Sequence, residues 1–449
     1  MPKVTVIMPC LNMEKYIREC VESVLFQTLR DIEVLIIDAG STDGTIEIIK
    51  EYSAKDNRVC LIHSEKKSYG YQVNMGISLA RGEYVGIVDT DDFIAPDMYE
   101  NLYNTAKKFE LDYCKGLAES FVDILDTERL TIPIRIFDQK EDLMNKVINP
   151  AKMPDLLIKD CYLWNGIYRI DFIKTIKLNE TSGAAYQDLG FIFQVYSMAE
   201  KAMYMDKVIY YYRKDNMNSS GYNRKAFSYL VKEYTYLERL LDKKDQKWVA
   251  VVYEKMLLHC HYHISSMAFI GEYWEEALSD IDILKEKLKN VKNKGLLKER
   301  ESSILEEKYQ LFMLDFSECY NYYKEEIEKK KDAINSILKE IRGKDVIIFG
   351  SGNLGKFVHA MIIYDGHDDN VLAYCDNCVE EQGKRILDKK VLSLENASLI
   401  YPEAYFLIAS KYRAEEMKDQ LIHYGILDHR IFIYTAGSDN FGFYKYLKK

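Results

Sequence analysis

No stretch of the 449 residues approaches the roughly 18 consecutive apolar positions that a helix needs to cross a bilayer. The N-terminal MPKVTVIMPCLN has too short an apolar part for a secretory leader and lacks a small-residue cleavage site. Both absences lead us to expect a chain that stays in the cytoplasm. Clustered cysteines are missing too. Nine are scattered singly, and Cys10, Cys20, Cys60 and Cys260 stand among apolar residues, as small hydrophobes do in a reducing compartment. Cys375 and Cys378 form a lone CxxC with no second pair to complete a zinc set, so they read as ordinary thiols. Positive charge is in deficit: 61 basic against 71 acidic residues give a formal charge of −10, which argues against nucleic acid as a partner. A nucleotide ligand is still compatible, because metal and backbone amides can neutralise phosphates locally.

What is present describes a folded protein. Hydrophobic residues make up 48% and charged residues 29%, and 449 residues exceed one ordinary core, so two or three domains are expected. The first hundred residues alternate apolar strands with helical periodicity: Lys3–Met8, Glu33–Asp38, Arg58–His63 and Glu83–Asp89 as strands, and Glu14–Phe26, Thr45–Ala54 and Gln72–Ala80 as helices. Continuous apolar strands separated by helices predict an α/β fold whose mostly parallel sheet is sandwiched by helices. Ligands of such sheets bind beyond the carboxyl ends of the strands. Three polar loops, Pro9–Asn12, Asp38–Asp43 and Asp89–Asp92, are expected to converge there.

Proline is absent and glycine occurs twice between residues 224 and 342, where helical periodicity persists into a Lys/Glu-rich stretch. This predicts a helical connector over residues 223–342, its charge runs being solvated faces. The spacing of His259, His261 and His263 leaves just the outer pair on one helix face, so a structural role is read there rather than a metal site. Residues 343–449 restart an α/β pattern. In DVIIFGSGNLGKFVHAMI the glycines Gly350, Gly352 and Gly355 form GxGxxG between strand and helix, and Asp376 ends the next strand. That is the dinucleotide fingerprint of a small Rossmann-like domain and marks a second nucleotide site, although nothing after it resembles a hydride-transfer centre.

The stretch IVDTDDF places Asp89, Asp91 and Asp92 directly after an apolar strand end. A metal site, a carboxylate general base and a solvated turn all fit such crowding.

VTVIMPCLNMEKYIRECVESVLFQT, EVLIIDAGSTDGT and GYQVNMGISLARGEYVGIVDTDD, in that order, resemble the family 2 glycosyltransferases of the GT-A fold. The resemblance is strong over the first hundred residues, looser to about residue 222, and implies a GT-A domain over residues 1–222. It implies that Pro9, Leu11 and Asn12 line a nucleotide pocket, with Asp38, Ser41 and Asp43 beside them and Asp38 on the base. Asp89 would hold ribose and, with Asp91, a divalent Mn2+ or Mg2+ on the diphosphate, with Asp92 in support. Ala39 stands where many members carry a second acid. SGAAYQDLG resembles the later acidic motif, so Asp188 takes the place of the catalytic base, with Gln187 where an acid is usual; an N-cap role is the plain alternative. WNGIYR resembles the acceptor-side segment, where Trp164 would stack on a sugar or else lie in the core. Arg213 and Lys214 are surface charges by default, with phosphate contact as the alternative. The implied activity is inverting transfer from a nucleotide-diphosphate sugar, UDP-linked by preference, to a saccharide or lipid-linked hydroxyl in bacterial surface polysaccharide or glycolipid synthesis. Such an acceptor would bring the chain to the inner face of the membrane without insertion. Two competing readings make residues 343–437 a nucleotide-responsive assembly module, or half of a bifunctional sugar-nucleotide enzyme.

Overall fold

The seven residues of β1 (Val4–Cys10) and the seven of β2 (Ile32–Asp38) are all buried, as their β-branched and aliphatic composition requires of strands covered on both faces. The computed structural model describes residues 1–125, 128–134, 136–137, 143–216, 223–242, 244–297, 300 and 302–436. Their contacts form two compact units. The first comprises residues 1–120, 133–264 and 274–319; the second comprises residues 121–132, 265–273 and 320 onward. This division differs from the three consecutive domains read from composition.

In the first unit β1 and β2 alternate with α1 (Ile17–Leu25), α2 (Thr45–Lys55), β3 (Val59–His63), α3 (Tyr69–Leu79) and β4 (Tyr84–Ile87). The strands pair in parallel in the order β3-β2-β1-β4, and Cys10 lies opposite Asp38 and Ile7 opposite Ile87. The three expected loops therefore leave the sheet at one edge. Helix α3 begins earlier than its apolar spacing suggests, because Ser68 caps it by accepting from the Tyr71 amide. Gly70 and Gly76 inside it are packing devices: a Cβ at Gly70 would lie 2.0 Å from the Asn179 carbonyl oxygen, and one at Gly76 would strike Ile7.

The chain continues through β5 (Phe93–Ile94), α4 (Met98–Phe109), β6 (Tyr113–Leu125), β7 (Glu128–Ile134), α5 (Leu156–Lys159), β8 (Gly166–Arg169), α6 (Ile170–Ile173), α7 (Gln187–Met198) and β9 (Ala202–Arg213). Beyond β4 the sheet runs β8-β6-β9-β5, with β8 antiparallel to both β4 and β6, so the parallel half passes into an antiparallel half. Inside this half the Lys115 ammonium, fully buried, donates to Asp160 (2.8 Å) and to the Tyr196 hydroxyl (2.8 Å), while Tyr196 and Tyr204 also donate to Asp160. Helices α8 (Ala226–Leu241), α9 (Gln246–Ile270), α10 (Leu278–Asn293), α11 (Ser303–Met313) and α12 (Phe316–Ile341) fill the proline-free region, as its periodicity predicts.

The second unit holds β10 (Val346–Phe349), α13 (Asn353–Tyr364), β11 (Val371–Cys375), β12 (Arg385–Ile386), β13 (Lys389–Leu392), α14 (Leu394–Ile400), β14 (Tyr405–Ala409), α15 (Ala414–His423) and β15 (Ile431–Tyr434). The strand order is β12-β13-β11-β10-β14-β15, parallel except at the β12–β13 edge, a short hairpin the sequence reading missed. Alternate residues of β10 serve two cores. Val346 and Ile348 pack with α12, α13 and with Val122, Ile124, Leu130 and Ile132 of β6 and β7, whereas Ile347 and Phe349 pack with α14 and α15.

Replacing one partner of a buried ion pair strands the other. Lys115→Met is expected to lower unfolding free energy by about 3–5 kcal/mol in urea titration, with much of the loss recovered in Lys115→Met/Asp160→Leu.

Candidate active site

The first two loops are laced together by short polar side chains. Asn12, at φ 55°, donates its amide to Ser41 Oγ (2.8 Å), and its side-chain oxygen accepts from the Thr42 amide (2.8 Å). Asp38 ends β2, is 2% exposed and accepts from the amides of Gly40 (2.8 Å) and Ser41 (3.0 Å) and from the Ser41 hydroxyl. Asp43 takes the Thr45 amide and hydroxyl on one oxygen and the Glu14 amide on the other, which closes the first turn of α2. These bonds hold its carboxyl below the usual range against the opposing effect of burial. Gln72 fixes the two strand ends from α3, donating to the carbonyls of Cys10 (2.9 Å) and Ile37 (2.5 Å). Leu11 lies in the same loop as Pro9, whose carbonyl accepts from Thr90 (3.0 Å) and so ties the first loop to the third.

The third loop carries the buried charge. Asp89 accepts from the Tyr69 hydroxyl (2.8 Å), Asp91 from the Asn216 amide (2.8 Å), and Asp92, 1% exposed, from the Tyr210 hydroxyl (2.7 Å) and the Arg213 amide (2.7 Å). Arg213 also donates to the Asp91 carbonyl (2.8 Å) and pairs with Asp215 (3.1 Å) and Glu19 (2.9 Å) while lying over the Tyr16 ring. It is 4% exposed, so the default assignment to the surface is corrected: the end of β9 is folded into the acidic loop. Lys214 lies over Tyr212, and burial lowers its pKa to about 8. Burial first, and then the charge of Asp91, push Asp89 up to about 7; burial raises Asp91 too, and Asp92 well above the carboxylate range. The three carboxylates thus lack enough positive charge to stay ionised at their ordinary values.

Helix α3 links Asp188 to this loop: Tyr69 donates to Asp89, and the next amide, Gly70, donates to Gln187, the residue before Asp188. Asp188 is not an N-cap, which corrects the plain alternative. Helix α7 starts one residue earlier, Tyr186 occupies the N-cap position at φ 67°, and Asp188 Oδ1 accepts from the next amide, Leu189 (3.0 Å). Burial raises Asp188 to about 6, opposed by that amide and by Lys255 on α9. Gln187, where an acid is usual, is 1% exposed. It accepts from the Gly70 amide (2.8 Å) and donates to the Thr181 carbonyl (2.9 Å), a double role that a carboxylate cannot fill. Trp164 is not presented to a ligand: it is 4% exposed and stacks on Tyr210 (4.1 Å between centroids) and Tyr162 (4.6 Å), buttressing the tyrosine that holds Asp92.

Among the described residues no group of three or more His, Cys, Asp or Glu side chains could hold a metal ion alone. His259 contacts Tyr234 and His261 contacts the Lys308 carbonyl, which leaves these histidines in structural roles. The oxygen chemistry of Asp89 and Asp91, which accept from the Tyr69 hydroxyl and the Asn216 side-chain amide, does fit a hard divalent cation once diphosphate oxygens complete the shell. In the second unit Gly350 has φ 111° and a Cβ at Gly355 would lie 1.9 Å from the Gly350 carbonyl oxygen, so both glycines are needed for the turn itself. Gly352 caps α13. Asp376 Oδ2 accepts from the amide (2.7 Å) and hydroxyl (2.6 Å) of Ser351 and Oδ1 from the Cys378 amide (2.9 Å), so the acid assigned to a ribose braces the glycine loop.

A family model described as glycosyl transferase family 2 matches residues 5–171. Glycosyltransferase GlyG of Streptococcus pneumoniae serotype 4 is 30% identical over 218 residues, which is 47% of this chain and 70% of GlyG. The putative glycosyltransferase EpsH of Bacillus subtilis is 32% identical over 216 residues, 47% of this chain and 61% of EpsH. Among solved structures, S. aureus TarS 1-349 in complex with UDP-GlcNAc aligns at 17% identity and a TM-score of 0.46, over 73% of this chain and 92% of that one. Because GlyG is 30% identical and is covered over 70% of its length, the chain belongs to glycosyl transferase family 2. No helix among the described residues is long and apolar enough to cross a membrane.

A carboxyl group whose pKa rises on folding stabilises the fold fully below its ordinary pKa and loses that contribution as pH climbs through the folded value. For Asp89 this window runs from about 4 to about 7. In EDTA the wild-type melting temperature should therefore fall relative to that of Asp89→Asn across this window, followed by differential scanning fluorimetry. A pH-independent difference would mean that Asp89 is not held protonated by its surroundings.

Proposed function

We propose that the protein is an inverting glycosyltransferase that moves a sugar from a nucleotide-diphosphate donor, a UDP-sugar by preference, to an acceptor hydroxyl in surface polysaccharide or glycolipid synthesis. The observation that carries the reading is that the start of α3 joins two kinds of carboxylate: Tyr69 donates to Asp89, beside Asp91 after β4, and Gly70 donates to Gln187, beside Asp188 in the first turn of α7. Family membership supports the donor class. Chondroitin and hyaluronan synthases share shorter matched segments with the chain, and TarS was solved with UDP-GlcNAc; both facts concern those proteins.

The donor's nucleoside lies against Pro9, Leu11, Asn12 and the loop from Asp38 to Asp43, with ribose toward Asp89. Asp89 and Asp91 are the residues that would hold a Mn2+ or Mg2+ ion. When bound, the ion supplies charge neutralisation for the departing nucleoside diphosphate. Asp188 takes the acceptor hydroxyl's proton on one carboxylate oxygen as the hydroxyl oxygen bonds to the anomeric carbon, while the bond from that carbon to the donor's phosphate oxygen breaks and the nucleoside diphosphate leaves. A base near 6 is ionised at neutral pH and is a stronger proton acceptor than an exposed aspartate. Arg213, Tyr210 and Asn216 keep the acidic loop in place rather than taking part in transfer. The acceptor is a saccharide, free or lipid-linked, and the chain meets the latter at the membrane's inner face without inserting.

Release of UDP from a panel of UDP-sugars in Mn2+ tests the assignment. Asp91→Ala and Asp188→Asn should each reduce turnover by orders of magnitude. Calorimetry should show UDP affinity lost in the first variant and retained in the second. Full turnover in Asp188→Asn would remove it as the base.

A further inference from the structure

The first turn of α7 is closed from outside the family-matched segment. Helical amides at an N-terminus lack partners within the helix. Leu189 finds one in Asp188 itself, and Gly190 finds one in Glu233 Oε1 of α8 (3.0 Å). Glu233 is 1% exposed, and its Oε2 accepts from the Asn179 amide (3.0 Å). Asn179 Oδ1 accepts in turn from the Thr181 hydroxyl (2.9 Å), and the Thr181 carbonyl accepts from Gln187 (2.9 Å). A ring of hydrogen bonds therefore runs from Glu233 through Asn179, Thr181 and Gln187 to the residue before Asp188, and returns through Gly190. Glycine at 190 is what permits the approach, because a Cβ there would lie 2.5 Å from Glu233 Oε1.

We infer that Glu233 is a positioning residue for the transfer reaction: it fixes the rotation of the first turn of α7, and with it where the Asp188 carboxylate points. The inference deepens the proposed function and rests on Asp188 being the base. A carboxyl group buried this deeply beside Asp188 holds its proton to about 8, mainly through burial, with the charge of Asp188 adding to it. At neutral pH it is then an uncharged acceptor for the Gly190 amide, and Asp188 ionises next to a neutral neighbour. Glutamine keeps an uncharged oxygen toward the Gly190 amide but turns its own NH2 toward the Asn179 side-chain NH2, so it retains the contact to α7 and gives up the one to Asn179.

Release of UDP from UDP-sugars by the full chain in Mn2+ is the assay, with calorimetric UDP binding run in parallel. Glu233→Ala should lower kcat at least tenfold while the UDP Kd stays within twofold. Glu233→Gln, which keeps the bond to Gly190 and loses the one to Asn179, should give a kcat above that of Glu233→Ala and below wild type. Gly190→Ala keeps the carboxyl group but pushes it away, and should reproduce the kcat loss with UDP affinity intact. Wild-type kcat in both Glu233→Ala and Gly190→Ala would overturn the inference. So would parallel loss of UDP binding that glutamine fails to restore, because that is the signature of a general structural role. Asp188→Asn measured alongside separates the two proposals: if it is inactive while Glu233→Ala is not, the positioning role alone is wrong.

Discussion

Everything at the crevice depends on keeping three aspartates in a place that burial disfavours. Asp89, Asp91 and Asp92 follow a strand whose last residues are fully buried, so the backbone that carries them cannot move away to relieve repulsion. The protein offsets the cost with donors rather than with matched cations: Tyr69, Asn216, Tyr210 and the Arg213 amide. Arg213 contributes its charge while being shared with Asp215 and Glu19. Burial, with the charge of the neighbouring carboxylates behind it, raises the Asp89 and Asp92 pKa values, and burial raises Asp91 as well.

Much of this was legible in the sequence, for a physical reason. Continuous apolar runs such as EVLIID and turn residues directly after them identify parallel strands and the edge where loops gather. The registers of Cys10 with Asp38 and of Ile7 with Ile87 place the loops together as that rule requires. Helix α3 starts three residues before its apolar spacing indicates, because Gly70 counts against a helix locally. The use of Gly70 and Gly76 becomes visible only against Asn179 and Ile7, which are remote in sequence.

The supporting residues escaped for the same reason. Tyr69, Tyr210, Arg213 and Asn216 are ordinary in composition, and long-range hydrogen bonds, over 20 residues for Tyr69 and more than 100 for the others, give them their roles. The one local hint was polarity in the wrong place: Gln72 and Gln187 interrupt buried helix faces, and both join separate segments. Trp164, open in the sequence between a sugar platform and the core, lies buried. A tryptophan beside an acceptor-side motif suggests a sugar platform, yet its ring is spent on Tyr162 and Tyr210. The glycine fingerprint of the second unit was correct as a turn, and Asp376 bonds to that turn.

On the proposed reading Asp89 and Asp91 act on the donor and Asp188 is the single base, a division of roles that calls for direct displacement. The most direct measurement is the anomeric configuration of sugar first released from a UDP-α-sugar in Mn2+, followed by proton NMR before mutarotation. The account predicts the β anomer. Release of the α anomer would contradict it, since retention requires a second displacement that this arrangement does not assign.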